Sequence, residues 1–249
     1  MKRFFELVYL YIGFTIFGLA MLLVFPIVGI AQLLPGKDLK EWIKLWCMKF
    51  WASSFYTFGI WFYHKESQSA QKTWPKGPMI IISNHNSLLD TPAVYLMLKR
   101  FAMPLAKIEL TKAPVFGHLC SWITLAVDRK SGESRMKAMA DMNRYLSEGG
   151  SLVIFPEGKT NKSDRSLQTF EPGAFRLSFE LGVPLVPILV RNTRHCLAAT
   201  KPMTLRPGIV TTEAGPVFSP KDFSDVVQYQ KAVVGWYEVR LGVNNNPRI

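Results

Sequence analysis

"PMIIISNHNSLLDTPAVYLMLKR", residues 78–100, holds three kinds of chain in one stretch. An apolar run ends at Ser83, a polar turn follows through Asn84, His85, Asn86 and Ser87, and a helical pattern starts near Asp90 with Pro92 in its first turn. Proline is tolerated there because the first helical N–H groups have no partner within the helix. The unit therefore reads as a strand followed by a helix.

The same pattern repeats downstream. Strand-like runs are predicted around Met103 to Ile108 and over 124–127, 151–155 and 184–190. Helical patterns lie between them over 91–100, 113–123, 133–148 and 173–182, the third stopping at Gly149 and Gly150, where a terminator is expected. Alternation of this kind predicts an α/β fold, with a mostly parallel sheet flanked by helices. The stretch "MTLRPGIVTTEAGPVF", 203–218, is read as a strand pair, and a last helix is expected from about Phe223 to Leu241.

Upstream the character is different. No Asp, Glu, Lys or Arg occurs from Leu7 to Gly36, a run longer than the ~20 apolar residues that cross a hydrocarbon core. A buried helix of a soluble core is the competing reading. Pro26 is a candidate kink or break, and basic residues at both ends (Lys2 and Arg3, Lys37 and Lys40) permit either a span or a re-entrant hairpin. Leu39, Trp42, Ile43, Trp46 and Phe50 then recur at helical spacing, opposite Lys37, Lys40, Glu41 and Lys44. That amphipathic pattern suits a helix lying in a lipid interface, or one packed on a soluble core. The predicted division is 1–64 as membrane-anchoring helices and 65–249 as the α/β domain.

The composition narrows the partners. A formal net charge of +12 accompanies 49% hydrophobic and 13% aromatic residues in 249. Basic charge alone suits nucleic acid, an anionic membrane or phosphorylated substrates. The apolar content favours membrane lipids, and outside the membrane portion no basic run interleaved with aromatics supports nucleic acid. Cys47, Cys120 and Cys196 are widely separated and form no CxxC pair, so neither a disulfide framework nor a metal site is expected.

His85 and Asp90 are five positions apart, a spacing that puts two residues on different sides of either a helix or a strand. Only a turn between strand and helix brings them together. Two readings follow: Asp90 caps the helix and His85 is an ordinary loop residue, or the carboxylate fixes the imidazole's tautomer and the ring acts as a general base. Of the other histidines, His64, His118 and His195 have no evident partner and are read as structural.

The motifs resemble those of the glycerolipid acyltransferase family. "NHNSLLD", 84–90, is similar to its first block, Asn-His-x-x-x-x-Asp. The segment ending at Asp128 and Arg129 resembles the second, "FPEG", 155–158, the third, and "GVPLVPI", 182–188, the fourth, all in order. The resemblance implies that His85 is the base and Asp90 its orienting partner. It implies substrate binding by Asn84, Arg129, Glu157, Gly158 and Lys159, with Lys107 near the thioester carbonyl and Pro187 bordering an acyl pocket. It also implies a bacterial inner-membrane protein with its site on the cytoplasmic side. Acyl-CoA or acyl carrier protein would be co-substrate, a lysophospholipid the acceptor, and no cofactor or metal would be needed.

Two departures stand out. Where the third block continues as Thr-Arg-Ser in the family, this chain reads "KTN", 159–161, so either Lys159 carries that cation or the acceptor differs. The glycine often found before the second block's Val-x-Arg is replaced within Trp122, Ile123 and Thr124. No Gly-x-Ser-x-Gly elbow supports a serine nucleophile, so direct transfer from a thioester is expected. The acceptor expected first is 1-acyl-sn-glycerol-3-phosphate, with lyso-ornithine lipid or another lysophospholipid as alternatives. A non-catalytic lipid-binding protein is the reading from a different class.

Overall fold

The computed structural model describes residues 2–65, 72–112, 116–128, 131–198 and 203–243. Its centre is a seven-stranded sheet in the order β1-β7-β6-β2-β5-β3-β4. The strands are β1 (Ile60–Lys65), β2 (Ile80–Ser83), β3 (Met103–Lys107), β4 (Leu125–Val127), β5 (Leu152–Ile154), β6 (Leu185–Arg191) and β7 (Gly208–Ala214). All neighbours run parallel except β6 and β7.

The helices, in chain order, are α1 (Lys2–Leu33), α2 (Lys37–Ser53), α3 (Asp90–Met97), α4 (Phe116–Ile123), α5 (Gly132–Ser147), α6 (Gly173–Leu181), α7 (Thr193–Cys196) and α8 (Val226–Leu241). Side chains alternate across a strand, so the central strands feed two cores. Ile81, Val153, Val186, Ile188 and Val190 meet α1 to α4 on one face. Ile80, Ile82, Leu152, Ile154, Leu185 and Leu189 meet α5, α6 and α8 on the other. Double-sided burial is why these strands read as continuous apolar runs.

The expected strand pair at 203–218 is not a hairpin. Within it only β7 is a strand; its partners are β1, in parallel, and β6, in antiparallel. Leu205 makes an isolated bridge to Leu197 instead. The parallel partner comes from the far end of the chain, which sequence proximity does not signal. The sheet also draws in residues 60–64 of the anchor stretch: β1 alternates, with Ile60 buried and Trp61 and Tyr63 exposed.

α1 runs unbroken through Pro26, so the reversal of chain direction falls at residues 34–36, between α1 and α2. Residues 3–33 form a helix long and apolar enough to cross a membrane. It is not a free-standing rod: Ala20, Val24, Val28 and Ala31 form a stripe buried against the domain, while Leu19, Leu22, Leu23 and Ile30 are exposed. Gly13 permits the close approach, because a Cβ there would come within 2.6 Å of Leu205. α2 is likewise two-sided. Trp42, Trp46 and Phe50 are exposed, and Leu45, Met48 and Ala52 are buried. Its lysines do not all face water: Lys44 is buried, over the Phe101 ring, and Lys37 donates to the Glu148 carbonyl at 2.6 Å.

Candidate active site

β2 ends where its next residue stops pairing by backbone alone. The Asn84 amide donates to the Val190 carbonyl and accepts from the Val190 N–H, both at 2.8 Å. A side chain thus continues the ladder to β6 while the main chain turns off the sheet's edge, and His85 emerges at the carboxyl end of the strands, where parallel sheets collect ligands. The turn then closes on Asp90. Its Oδ2 accepts from Asn86 N at 2.6 Å, Ser87 N at 2.7 Å and His85 Nδ1 at 3.0 Å. Thr193 Oγ1 donates to Oδ1 at 2.6 Å.

The Asp90 carboxylate holds the turn and the imidazole and does not cap α3. The residue before α3, Leu89, makes no side-chain cap, and the Asp90 carboxylate faces backward into the loop rather than forward to helix donors. It is fully buried, and these donors replace the water it has lost. An ionised carboxylate only accepts, so the neutral imidazole carries its proton on Nδ1 and has a lone pair on Nε2.

The loop after β5 holds His85 on three sides. Phe155 stacks on the ring, with centroids 4.5 Å apart. Glu157 Oε1 accepts from His85 N at 2.8 Å, and Asn161 N donates to His85 O at 2.7 Å. Burial pushes the Glu157 carboxyl up to about 7, although the His85 and Gln168 N–H groups pull the other way. On the open side, Thr160 Oγ1 lies 3.2 Å from His85 Nε2.

His85 and Thr160 both line a cleft of about 1000 Å³, at the upper end of the roughly 300–1000 Å³ usual for small-molecule sites. Phe14, Phe17 and Met21 of α1, Trp51 of α2 and Ile123 of α4 make its walls apolar. The exposed Lys107, Lys159 and Lys162 give it a basic rim. An imidazole lone pair therefore faces a space with an oily interior and cationic edge.

Of the residues expected to touch substrate, Lys107 and Lys159 do line the cleft, and Lys107 also pairs with Glu109 at 3.0 Å. Asn84, Glu157 and Pro187 do not. Asn84 is spent on β6, and Glu157 is buried under His85, where its carboxyl accepts from the His85 and Gln168 backbone N–H groups. Pro187 pairs with Ile82 and points to Gly215 and Trp236, on the sheet face opposite the cleft. Gly158 supplies a turn at φ 73°, its N–H donating to Phe155 O at 3.0 Å. Arg129 lies outside the described residues. Among the described residues no cluster of His, Cys, Asp and Glu could hold a metal ion. His64, read as structural, bonds Thr212 across β1 and β7 at 2.6 Å.

Thr160, Thr193 and Arg194 were not singled out by sequence. Arg194 donates to Ser163 O at 2.6 Å and Asn161 O at 2.8 Å, so α7 braces both the Asp90 carboxylate and the loop over His85. The one local hint is Asn192, the single non-glycine with positive φ among the described residues, which redirects the chain after β6.

The Acyltransferase family model matches residues 62–191. A 1-acyl-sn-glycerol-3-phosphate acyltransferase of Salmonella typhimurium is 30% identical over 152 residues, 60% of this chain and 59% of that protein. The human 1-acyl-sn-glycerol-3-phosphate acyltransferase alpha is 31% identical over 140 residues, 55% of this chain and 48% of its own length. A Chlamydomonas reinhardtii protein of the same description is 28% identical over 153 residues, 61% of this chain and 45% of its own. The chain spans about half the length of the curated relatives it matches. The crystal structure of the 1-acyl-sn-glycerophosphate acyltransferase PlsC from Thermotoga maritima superposes with a TM-score of 0.79, covering 99% of this chain and 100% of that one at 18% identity, which speaks for the fold.

Proposed function

Because the chain belongs to the Acyltransferase family, we propose that it moves a fatty acyl group from an acyl thioester to the free hydroxyl of a lysophospholipid, 1-acyl-sn-glycerol-3-phosphate first among them. The observation that carries this reading is the imidazole of His85, held on Nδ1 by a buried carboxylate at the wall of the apolar cleft, with Nε2 turned to the Thr160 hydroxyl that also lines it. A binding protein has no use for a base so arranged.

In the proposed reaction the acceptor hydroxyl gives its proton to Nε2 as its oxygen adds to the thioester carbonyl carbon. The tetrahedral oxyanion collapses, the C–S bond breaks, and the thiolate leaves with the proton from the imidazolium. The thioester is already activated, so proximity and a base suffice without a covalent enzyme intermediate. Lys107, with its ammonium group on the rim, is the candidate to meet the oxyanion. Lys159 and Arg129 are the candidates for the acceptor's phosphate. The donor is acyl-CoA or acyl carrier protein, both acidic and suited to a chain of net charge +12.

The exposed apolar faces of α1 and α2 support seating in lipid, with Trp42 and Trp46 at the interface. This reading puts the cleft at the cytoplasmic side of a bacterial inner membrane, next to its lipid substrate. Since α1 and α2 also complete the core under the sheet, removing residues 1–64 would unfold the domain, and surface substitutions test the anchor better.

The test is transfer from radiolabelled palmitoyl-CoA to a panel of lysolipids, including 1-oleoyl-sn-glycerol-3-phosphate and lyso-ornithine lipid. His85→Ala is expected to lose on the order of 10²–10⁴-fold. Equal turnover by wild type and variant would refute the reading, and the preferred lysolipid identifies the acceptor.

A further inference from the structure

The lone pair on His85 Nε2 is not vacant. The Thr160 hydroxyl lies 3.2 Å from it, and because an unprotonated ring nitrogen can only accept, the hydroxyl donates. An alcohol O–H directed at Nε2 is also the arrangement the acceptor must adopt before it reacts. We propose that Thr160 stands in for the acceptor hydroxyl, keeping the base engaged until a lysolipid displaces it and so protecting a bound thioester from attack by water. The inference rests on the transfer reaction proposed above and deepens it.

Water and a lysolipid offer Nε2 the same kind of hydrogen bond. Water brings nothing further to offset the loss of the Thr160 bond, whereas a lysolipid brings contacts of its chain and headgroup, remote binding that can drive the exchange. The loop is built to hold this position. Asn161 N donates to His85 O at 2.7 Å, Asn161 Nδ2 donates to Arg165 O at 2.8 Å, and Arg194 holds Asn161 O at 2.8 Å. With the backbone fixed from both sides, a change of the Thr160 side-chain rotamer suffices to uncover the base. Threonine at 160 is also where this chain departs from the Thr-Arg-Ser pattern, so the device belongs to this sequence.

The reaction held back is hydrolysis. Water would give a proton to Nε2, its oxygen would add to the thioester carbonyl carbon, the C–S bond would break, and the thiolate would take the proton from the imidazolium, leaving a fatty acid and a thiol. Thr160 is thus a positioning residue, acting through His85.

The experiment measures thiol release from palmitoyl-CoA by the full-length protein in detergent micelles, with and without 1-oleoyl-sn-glycerol-3-phosphate. Thr160→Val keeps the shape and removes the donor; Thr160→Ser keeps the donor. Acceptor-free release is expected to rise about 2- to 10-fold in Thr160→Val, the net worth of one neutral hydrogen bond. The acceptor's KM should fall, Thr160→Ser should stay near wild type, and adding His85→Ala to Thr160→Val should abolish the extra release. If wild type transfers acyl groups and folded Thr160→Val hydrolyses no faster, the guard is overturned and the transfer reaction stands. An acyl adduct on Thr160 by intact mass would overturn it too, making the hydroxyl a nucleophile. A wild type that transfers to no lysolipid refutes both.

Discussion

Thr193→Val isolates one hydrogen bond at the most protected point of the site. The valine keeps the threonine's shape and replaces the hydroxyl that donates to Asp90 Oδ1 at 2.6 Å by a methyl group. Thr193 is 1% exposed and Asp90 0%, so no water can take over the lost bond. A hydrogen bond to a charged group contributes about 1.5–3 kcal/mol, and here the carboxylate is left facing a methyl, which puts the expected loss near the upper end, about 2–3 kcal/mol. For a chain of this size each kcal/mol lowers Tm by about 2–4 °C, so circular dichroism in detergent should show melting about 5–10 °C earlier. Asp90 would keep its three bonds on Oδ2, including the one to His85. The imidazole then stays in place but less firmly, and kcat is expected to fall about tenfold with little change in KM. Thr193→Ser restores the donor and should recover both properties. Melting of Thr193→Val at the wild-type temperature would refute the reasoning. Equal losses from valine and serine would do so as well, by assigning the effect to packing of the threonine methyl.

Asp90→Asn sets an amide where Oδ2 accepts two backbone N–H groups and the ring N–H; transfer assays should show a loss on the order of 10²-fold or more, with lower stability in thermal melts. Glu157→Gln tests the buried carboxyl. With its pKa raised from 4.5 to about 7, the folded state holds a proton that the unfolded chain releases between those values. Its contribution is complete below about 4.5 and is lost as pH rises through about 7, at a cost of about 3 kcal/mol. Urea unfolding of wild type should therefore weaken over that window by more than Glu157→Gln does, and parallel curves for the two proteins would count against it. Asn84→Ala removes both bonds to Val190 from a fully buried site and should cost about 2–3 kcal/mol in urea unfolding; a change below about 0.5 kcal/mol would show that β2 and β6 hold without it. Trp42→Ser with Trp46→Ser alters exposed side chains only, so the protein should fold but float less with anionic vesicles; unchanged flotation would remove α2 from the membrane reading.

Much of the fold is legible in the residues. Apolar runs at 80–82, 152–154 and 185–190 are strands because each is covered on both faces, and the helix over Gly132–Ser147 carries its own punctuation: Ser131 caps its start and Gly149 follows its end at φ 85°. The expected pairing at 203–218 failed because a strand's partner is chosen by burial, and the parallel place beside β7 went to the distant β1. Burial also decides the faces of α2. Its lysines look like a wet face in projection, yet Lys44 lies under the domain.

By itself the sequence determined the alternation of strand and helix and the apolar helix at the amino terminus, since each depends on residues within a single element or adjoining ones, and it allowed His85 and Asp90 to meet across a turn without requiring it. The tertiary structure alone decided which side of the sheet opens into the cleft, that Asn84 and Glu157 hold the backbone around His85 while Pro187 faces the other side of the sheet, and that Thr160 and Thr193 reach the dyad from 75 and 103 positions away. Periodicity records burial along one element. A hydrogen bond between two loops leaves no periodic trace, because its partners share neither a helix turn nor a strand face and meet only once the sheet has been assembled.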